Sequence, residues 1–156
     1  MKQLVKLCLL MIFFQSGDLM AQKDSFRLIC PLNDAIIVPP PKNVFHYDNP
    51  DLCIVLQSLP DSIVKSVGTG RVTNTEFTDE SKNGVVLFVK IKGKDYYFWY
   101  TGMNKLLVKR NDVVKLGQPL GYVSAGERVE LMMYEFETPV DPINYLDCKN
   151  VLKSDK

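Results

Sequence analysis

Two adjacent runs of β-branched and aromatic residues limit this chain to a mainly β fold. The first run covers Val85 to Lys92 and the second covers Tyr96 to Tyr100. Residues of this kind favour extended strands, and the intervening Gly93-Lys94-Asp95 is typical of a hairpin turn. No segment keeps an apolar period of 3.6 residues over a full helix length, so amphipathic helices are not expected. The sequence therefore predicts an all-β fold of mainly antiparallel strands.

The N-terminus has the features of an export signal. Lys2 and Lys6 flank the start of a short apolar run that ends near Phe14, and a small residue, Ala21, offers a cleavage site. The run is shorter than the ~20 apolar residues of a spanning helix. We therefore expect residues 1–21 to be a signal peptide, the mature protein to be periplasmic or secreted, and no integral membrane span to remain after cleavage. A retained membrane anchor is the alternative.

The mature chain is expected to carry no net charge. The full sequence has 19 basic and 18 acidic residues, and cleavage removes Lys2, Lys6 and Asp18, which leaves 17 of each sign. A nucleic-acid-binding domain normally shows a basic patch, so we expect no nucleic-acid partner. The remaining length suits one domain with a sizeable core.

Three cysteines follow the predicted cleavage site, and they leave two interpretations open. Because Cys30, Cys53 and Cys148 are odd in number, at most one intramolecular bridge can form. A bridge between Cys30 and Cys148 would tie the N-terminal segment onto the rest of the domain. The alternative is three buried thiols that pack as small apolar side chains.

The most specific sequence signal lies in Gly126–Phe136 and the Pro139–Leu146 segment that follows. These residues resemble the closing segment of a LytM or lysostaphin-type zinc endopeptidase domain, also called a duplicated hybrid motif. In that family a His-Leu-His-Phe-Glu strand precedes Pro-x-Asp-Pro-x-x-Tyr-Leu. The family's Val-x-x-Gly-Asp-x-Val-x-x-Gly-Gln-x-Ile-Gly hairpin is similar in order and spacing to Val108–Val123. Three upstream segments are also similar to family strands: Pro60–Val72, Gly84–Ile91 and Trp99–Met103.

The resemblance covers about Asp51 to Leu146 and implies a LytM-like barrel-sandwich hybrid with a short N-terminal extension. Within the extension, Pro39-Pro40-Pro41 cannot pair as a central strand because proline donates no ladder hydrogen bond, so it predicts a stiff connector. We expect four regions: a signal peptide over residues 1–21, the extension over 22–50, the LytM-like domain over 51–148 and a tail over 149–156.

The histidines that carry the family's chemistry are absent from the matching positions. Aligning Glu135 with the family's glutamate places Leu131 and Met133 where one metal ligand and one catalytic histidine stand. Gly102 takes the position of the histidine that assists catalysis. None of these three residues can act as a general base or bind zinc well.

The family's first metal motif, His-x-x-x-Asp, is also degenerate in this chain. An ungapped alignment places Asp51 and Val55 at the two ligand positions, whereas a short insertion would place Tyr47 and Asp51 there. The single histidine, His46, is followed four residues later by Pro50, so it does not rebuild the motif. The resemblance therefore implies a degenerate domain with no metal and no cofactor.

A domain of this kind is expected to keep the family's groove as a binding surface. The candidate groove residues are Trp99, Tyr100, Gly102, Met133 and Glu135. Because alternate residues of a strand face opposite sides, about half of the aromatic run at 96–100 is expected in the core. We also expect the substitution Gly102→Trp to fill the groove and leave the melting temperature nearly unchanged.

The resemblance implies a function in binding rather than in catalysis. Similar family members without zinc ligands act as activators of cell-wall amidases. The expected function is thus a catalytically inactive exported domain that binds a cell-envelope protein or a peptidoglycan peptide and regulates a cell-wall hydrolase. Two alternatives are an active zinc metalloendopeptidase with atypical ligands such as Asp51 and Glu135, and a structural module of an envelope assembly.

Overall fold

The computed structural model describes residues 26–40, 52–78, 82–148 and 152–153, and these residues form an all-β protein. The predicted signal peptide, Tyr47, Asp51 and most of the region around the proline run lie outside the described residues. The only helical element in the described ranges is a short 3₁₀ turn at Pro142–Asn144. In those same ranges no helix has the length and apolar character needed to cross a membrane.

The strands within the described ranges are, in chain order, β1 (Leu28–Ile29), β2 (Ala35–Val38), β3 (Cys53–Ser58), β4 (Ser62–Lys65), β5 (Gly70–Thr78), β6 (Lys82–Ile91), β7 (Lys94–Met103), β8 (Lys105–Leu106), β9 (Val113–Val114), β10 (Pro119–Val123), β11 (Arg128–Glu135), β12 (Thr138–Val140), β13 (Leu146–Asp147) and β14 (Leu152–Lys153).

The main sheet has nine strands and is built around the hairpin of β6 and β7. Its order is β14-β2-β3-β11-β7-β6-β5-β9, with β12 paired to β11. The predicted hairpin is confirmed, although the strands are longer than expected and the turn falls at Lys92 and Gly93. Both turn residues have positive φ, at 49° and 82° respectively. This backbone conformation matches the twist of two strands joined by a two-residue turn.

The main sheet has an inner and an outer face, because side chains alternate along each strand. Its inner face carries fully buried residues such as Leu87, Phe98 and Leu131. A three-stranded sheet of order β4-β10-β8 contributes Val64 and Leu120 to the same hydrophobic core. One continuous core therefore joins the main sheet to the smaller sheet.

Strands from both ends of the described chain pair with each other and with the main sheet. Strand β1 pairs in parallel with β13, and β14 pairs in parallel with β2. A disulfide joins Cys30 to Cys148 across a sequence separation of 118 residues. The sequence left open either a Cys30–Cys148 bridge or three buried thiols, and the structure contains the bridge. Cys53 keeps its thiol and is half-buried.

We expect removal of this disulfide to destabilise the protein substantially. A crosslink over a loop of this length removes unfolded-state entropy worth about 5 kcal/mol in the chain-entropy description, and measured losses are about 2–5 kcal/mol. The Cys30→Ser/Cys148→Ser variant should therefore lose stability in this range, measured by urea denaturation. The matched control, Cys53→Ser, leaves the bridge intact. Equal stability of the bridge variant and this control would contradict the expectation.

Candidate functional site

Strand β11 places the two residues that match the family's histidines inside the core. Leu131 and Met133 are both 0% exposed and point to the inner face. Their neighbours on β7 are Tyr100 and Phe98, each of which is also 0% exposed. Sequence-adjacent Met132 points to the outer face and is partly exposed. The two positions therefore contribute packing and are not accessible to a substrate.

The N-terminal segment Phe26–Asp34 packs against the inner side of the protein. The ring of Phe26 contacts Tyr96 on the inner face with centroids 5.1 Å apart, and it contacts Tyr145 at 4.9 Å. The amide of Leu28 donates to the carbonyl of Tyr145 at 2.8 Å. Further along the segment, the carbonyls of Pro31 and Asp34 accept hydrogen bonds from the backbone amides of Lys65 and Leu59.

Buried side chains of this segment belong to the same core cluster as the histidine-equivalent positions. Leu28, Cys30 and Leu32 share that cluster with Leu131 and Met133. Cys30 is also covalently fixed by its bridge to Cys148. The N-terminal segment and the inner face thus contribute to one hydrophobic core.

Tyr100 acts as a structural residue in this core. Its hydroxyl accepts a hydrogen bond from the backbone amide of Val67 at 2.9 Å. Burial raises the pKa of the Tyr100 phenol well above its ordinary value, against a smaller opposing effect of the Val67 hydrogen bond. The phenol therefore stays neutral, and its oxygen is used to fix the loop after β4 to the main sheet.

Gly102 is a point of close backbone approach rather than the floor of a cleft. Its φ is +90°, a left-handed conformation that side-chain-bearing residues rarely adopt. A Cβ atom at this position would lie 2.1 Å from the carbonyl oxygen of Arg128. The expectation that Gly102→Trp would be tolerated is therefore wrong, because the structure has no space for any side chain there.

Glu135 has both carboxylate oxygens engaged by neighbouring side chains. Lys94 Nζ lies 2.8 Å from Oε1, and the Tyr96 hydroxyl donates to Oε2 at 3.1 Å. The Lys94 hydrogen bond is the largest influence and lowers the pKa of Glu135, assisted by Tyr96 and opposed by partial desolvation. The carboxylate is thus an ionised partner of Lys94 at the end of β11.

The remaining positions of the degenerate metal motif form no metal centre among the described residues. Val55 is 3% exposed and pairs with Val38 and Glu130 in the main sheet. Asp51 lies outside the described residues. Within those residues, no group of three or more His, Cys, Asp or Glu side chains is placed to hold a metal ion.

The five candidate groove residues do not line one groove. Tyr100 and Met133 are buried on the inner face, whereas Trp99 points to the outer face. Gly102 contacts the backbone of Arg128, and Glu135 lies with Tyr96 on the inner side. Grouping these residues was wrong for a simple physical reason, since neighbouring positions on a strand face opposite sides.

The outer face of the main sheet carries an open groove that the sequence grouping missed. It has a volume of about 560 Å³ and is lined chiefly by Glu76, Tyr97, Trp99, Tyr134, Phe136 and Glu137. We call these six residues the aromatic groove. The rings of Trp99 and Tyr134 lie 5.9 Å apart, and Tyr97 contacts Phe88 at 5.4 Å. The spacing of Tyr97 and Trp99, two residues apart, was the available signal, because it places both rings on one face.

A family model described as Peptidase family M23 matches residues 52–144, which is more than half of the chain. The chain belongs to peptidase family M23. The LytM and lysostaphin-type resemblance read from the motifs is thereby confirmed, and so is the all-β fold class. No curated protein sequence gives a significant match to this M23 chain.

Solved structures also share the M23 fold at low sequence identity. Csd3 from Helicobacter pylori is 21% identical with a TM-score of 0.64, covering 79% of this chain and 35% of that one. A chain of the SpoIIQ-SpoIIIAH pore-forming complex is 16% identical with a TM-score of 0.61, covering 78% of this chain and 92% of that one. The catalytic domain of the antimicrobial peptidase lysostaphin from Staphylococcus simulans is 21% identical with a TM-score of 0.51, covering 69% and 85%. The M23 chain thus spans about a third of the length of Csd3.

Proposed function

We propose that this M23 domain is catalytically inactive and acts as an exported binding module of the cell envelope. The observation that carries the proposal is the full burial of Leu131 and Met133 in a core that also includes the disulfide-fixed N-terminal segment. Zinc-dependent hydrolysis requires imidazole or carboxylate ligands and an open position for water. An apolar side chain packed in a core supplies neither. The proposed role therefore depends on surface recognition.

Export is supported by the N-terminal sequence and by cysteine usage. Residues 1–21 have the order of a signal peptide, with a basic start, a short apolar run and a small residue at the cleavage site. The Cys30–Cys148 disulfide suits an oxidising compartment such as the periplasm or the cell exterior. We accordingly assign the mature protein to one of these compartments.

A cell-envelope protein is the partner class that we favour, with a peptidoglycan peptide as the other ligand to test. SpoIIQ, whose fold resembles this one, forms a complex with SpoIIIAH. By analogy, the present domain would use its fold to contact another envelope protein and to regulate a cell-wall hydrolase. We assign it no cofactor.

Zinc loading and peptidoglycan hydrolysis test the inactive assignment directly. Mature protein is recovered from the periplasm or medium, where its intact mass should lack residues 1–21. After incubation with excess zinc and desalting, elemental analysis should find no stoichiometric metal, and a peptidoglycan suspension should stay undigested. An M23 peptidase with an intact zinc site serves as the positive control.

The Glu135→Gln variant distinguishes the alternative of atypical ligands. If Glu135 were a zinc ligand, this variant would lose metal and activity that the unchanged protein possesses. We expect both proteins to behave alike. Chelator-sensitive hydrolysis by the unchanged protein, lost in Glu135→Gln, would establish an active enzyme and refute the proposal.

A further inference from the structure

We propose that the aromatic groove on the outer face binds an extended protein segment through a lysine or arginine side chain. This inference rests on the proposed function as a binding module and specifies its surface and partner chemistry. The groove lies on the face opposite Leu131 and Met133. Recognition on this face is therefore separate from the positions that match the family's zinc site.

The aromatic rings provide a preformed surface for a cation. Tyr97 and Trp99 project from β7, and Tyr134 projects from the adjacent β11 directly opposite Tyr97. All three side chains are partly exposed. The face of a tryptophan ring is the most favourable aromatic partner for an ammonium or guanidinium group, and Trp99 has neighbouring rings to extend the contact. A volume of about 560 Å³ accommodates such a side chain together with part of its backbone.

Two carboxylates give the groove its charge preference. Glu76 comes from β5, and Glu137 comes from the turn after β11. None of the residues that line the groove is basic. Neither carboxylate has an ion-pair partner among the described residues. Such an arrangement attracts a cation and repels phosphate or carboxylate groups.

Glu76 reaches this position because Gly84 leaves space for it. A Cβ atom on Gly84 would lie 3.1 Å from Cγ of Glu76, so the glutamate side chain would have to shift by a few tenths of an ångström. Gly84 is opposite Glu76 in the pairing of β5 with β6. The glycine therefore allows the glutamate side chain to lie along the outer face beside the groove.

Phe136 is held at the edge of the groove in an unfavourable backbone conformation. Its φ is 54°, a region in which bulky residues are rare, and its side chain is 62% exposed. The amide of Phe136 donates to the carbonyl of Asp95 at 2.8 Å, which fixes the turn against β7. Exposed turns with positive φ normally use glycine, asparagine or aspartate. Strained backbone conformations of this kind cluster at functional sites, and here the strain presents an exposed aromatic ring at the edge of the groove.

The single tryptophan of the chain allows a direct test, because Trp99 fluorescence reports on the groove alone. Mature protein is titrated with the acetylated and amidated peptide Gly-Ser-Arg-Ser-Gly, and with the same peptide carrying citrulline in place of arginine. Citrulline keeps the shape of arginine but has no charge. We expect a saturable fluorescence change with the arginine peptide, weakened by added salt, and no saturable change with the citrulline peptide.

The double variant Glu76→Gln/Glu137→Gln tests the charge preference from the protein side. Loss of two partly exposed charge interactions should lower the affinity for the arginine peptide about three- to tenfold. Asp34→Asn is the control, because it removes a surface carboxylate that does not line the groove. Circular dichroism verifies that both variants are folded. The comparison of arginine with citrulline needs no variant and remains decisive if the double variant fails to fold.

Three results would overturn the proposal. These are equal binding of the two peptides, no binding of either at millimolar concentration, and saturable binding of a neutral chitin oligosaccharide in preference to the arginine peptide. The last result would assign the groove to a glycan. None of these results would indicate a zinc site. The proposal of cation binding in the groove can therefore be rejected while the proposal of a catalytically inactive domain stands. Zinc-dependent hydrolysis would reject that assignment independently of any peptide result.

Discussion

The Leu131→His/Met133→His variant should lose most of its stability without gaining a zinc site. Both positions are 0% exposed and are packed beside Tyr100 and Phe98. Burying a polar imidazole without hydrogen-bond partners costs about 1–3 kcal/mol, and the loss of well-packed apolar contacts adds about 2–5 kcal/mol at a core position. Two such changes approach the total stability of a typical domain, about 5–15 kcal/mol. Urea denaturation and zinc analysis of the soluble fraction measure the outcome.

Met132→His is the matched control for this variant. Met132 lies between the two positions on the same strand, but it is partly exposed on the outer face. The imidazole of the introduced histidine would keep contact with water, so we expect the free energy of unfolding to change by about 1 kcal/mol or less. A double variant as stable as this control, with bound zinc, would show that the inner face is accessible and would contradict the burial of Leu131 and Met133.

The Gly102→Ala variant is expected to destabilise the protein by about 4 kcal/mol or more, at the upper end of single substitutions. The added Cβ would lie 2.1 Å from the carbonyl oxygen of Arg128 and 3.4 Å from Cα of Val129. Real Cβ atoms do not approach backbone oxygen so closely, so the start of β11 has to move away from β7. Thermal unfolding and the yield of soluble protein report the effect.

Gly126→Ala separates the steric contribution from backbone strain. Gly126 has φ +79°, close to the +90° of Gly102, but nothing lies within 4 Å of the Cβ it would acquire. The Gly126→Ala variant should therefore lose about 1–2 kcal/mol of unfolding free energy, because alanine is disfavoured in the left-handed conformation. Similar losses in both alanine variants would mean that the close contact at Gly102 relaxes easily, against our expectation.

The sequence was most informative where local chemistry determines the backbone. The alternation of β-branched and aromatic residues predicted the β6–β7 hairpin, because strand propensity and turn residues act over short distances. The Val108–Val123 motif indicated the family correctly, but the hairpin that it implied was wrong, because β9 pairs with β5 whereas β10 pairs with β4 and β8. Asn111 stands where the family motif has glycine, and it has φ 74°, a conformation that asparagine tolerates better than most residues. Gly117 in the same motif has φ 75°.

The candidate groove was not predictable because it depends on contacts between distant parts of the chain. No local pattern indicates that Phe26 packs against Tyr96, and this packing helps to close the inner face. The outer groove combines residues of β5, β7 and β11, and three other strands separate β11 from its neighbour β7 in the sequence. Cysteine counting limited the disulfide possibilities to at most one bridge, but only the fold brings Cys30 beside Cys148.

The pairing of the two ends of the domain also determines when folding can be completed during synthesis of the chain. Strands β1 and β2 are made before the other described strands, yet their partners β13 and β14 are made after them. A chain synthesised from its N-terminus must therefore keep Leu28 and Leu32 without their final neighbours until Leu146 and Cys148 have been made. Such long-range pairing makes folding slow relative to local hairpin formation. Completion of the fold is thus coupled to synthesis of Leu146 and Cys148, and a chain interrupted before Leu146 would present its unfinished core to chaperones and proteases.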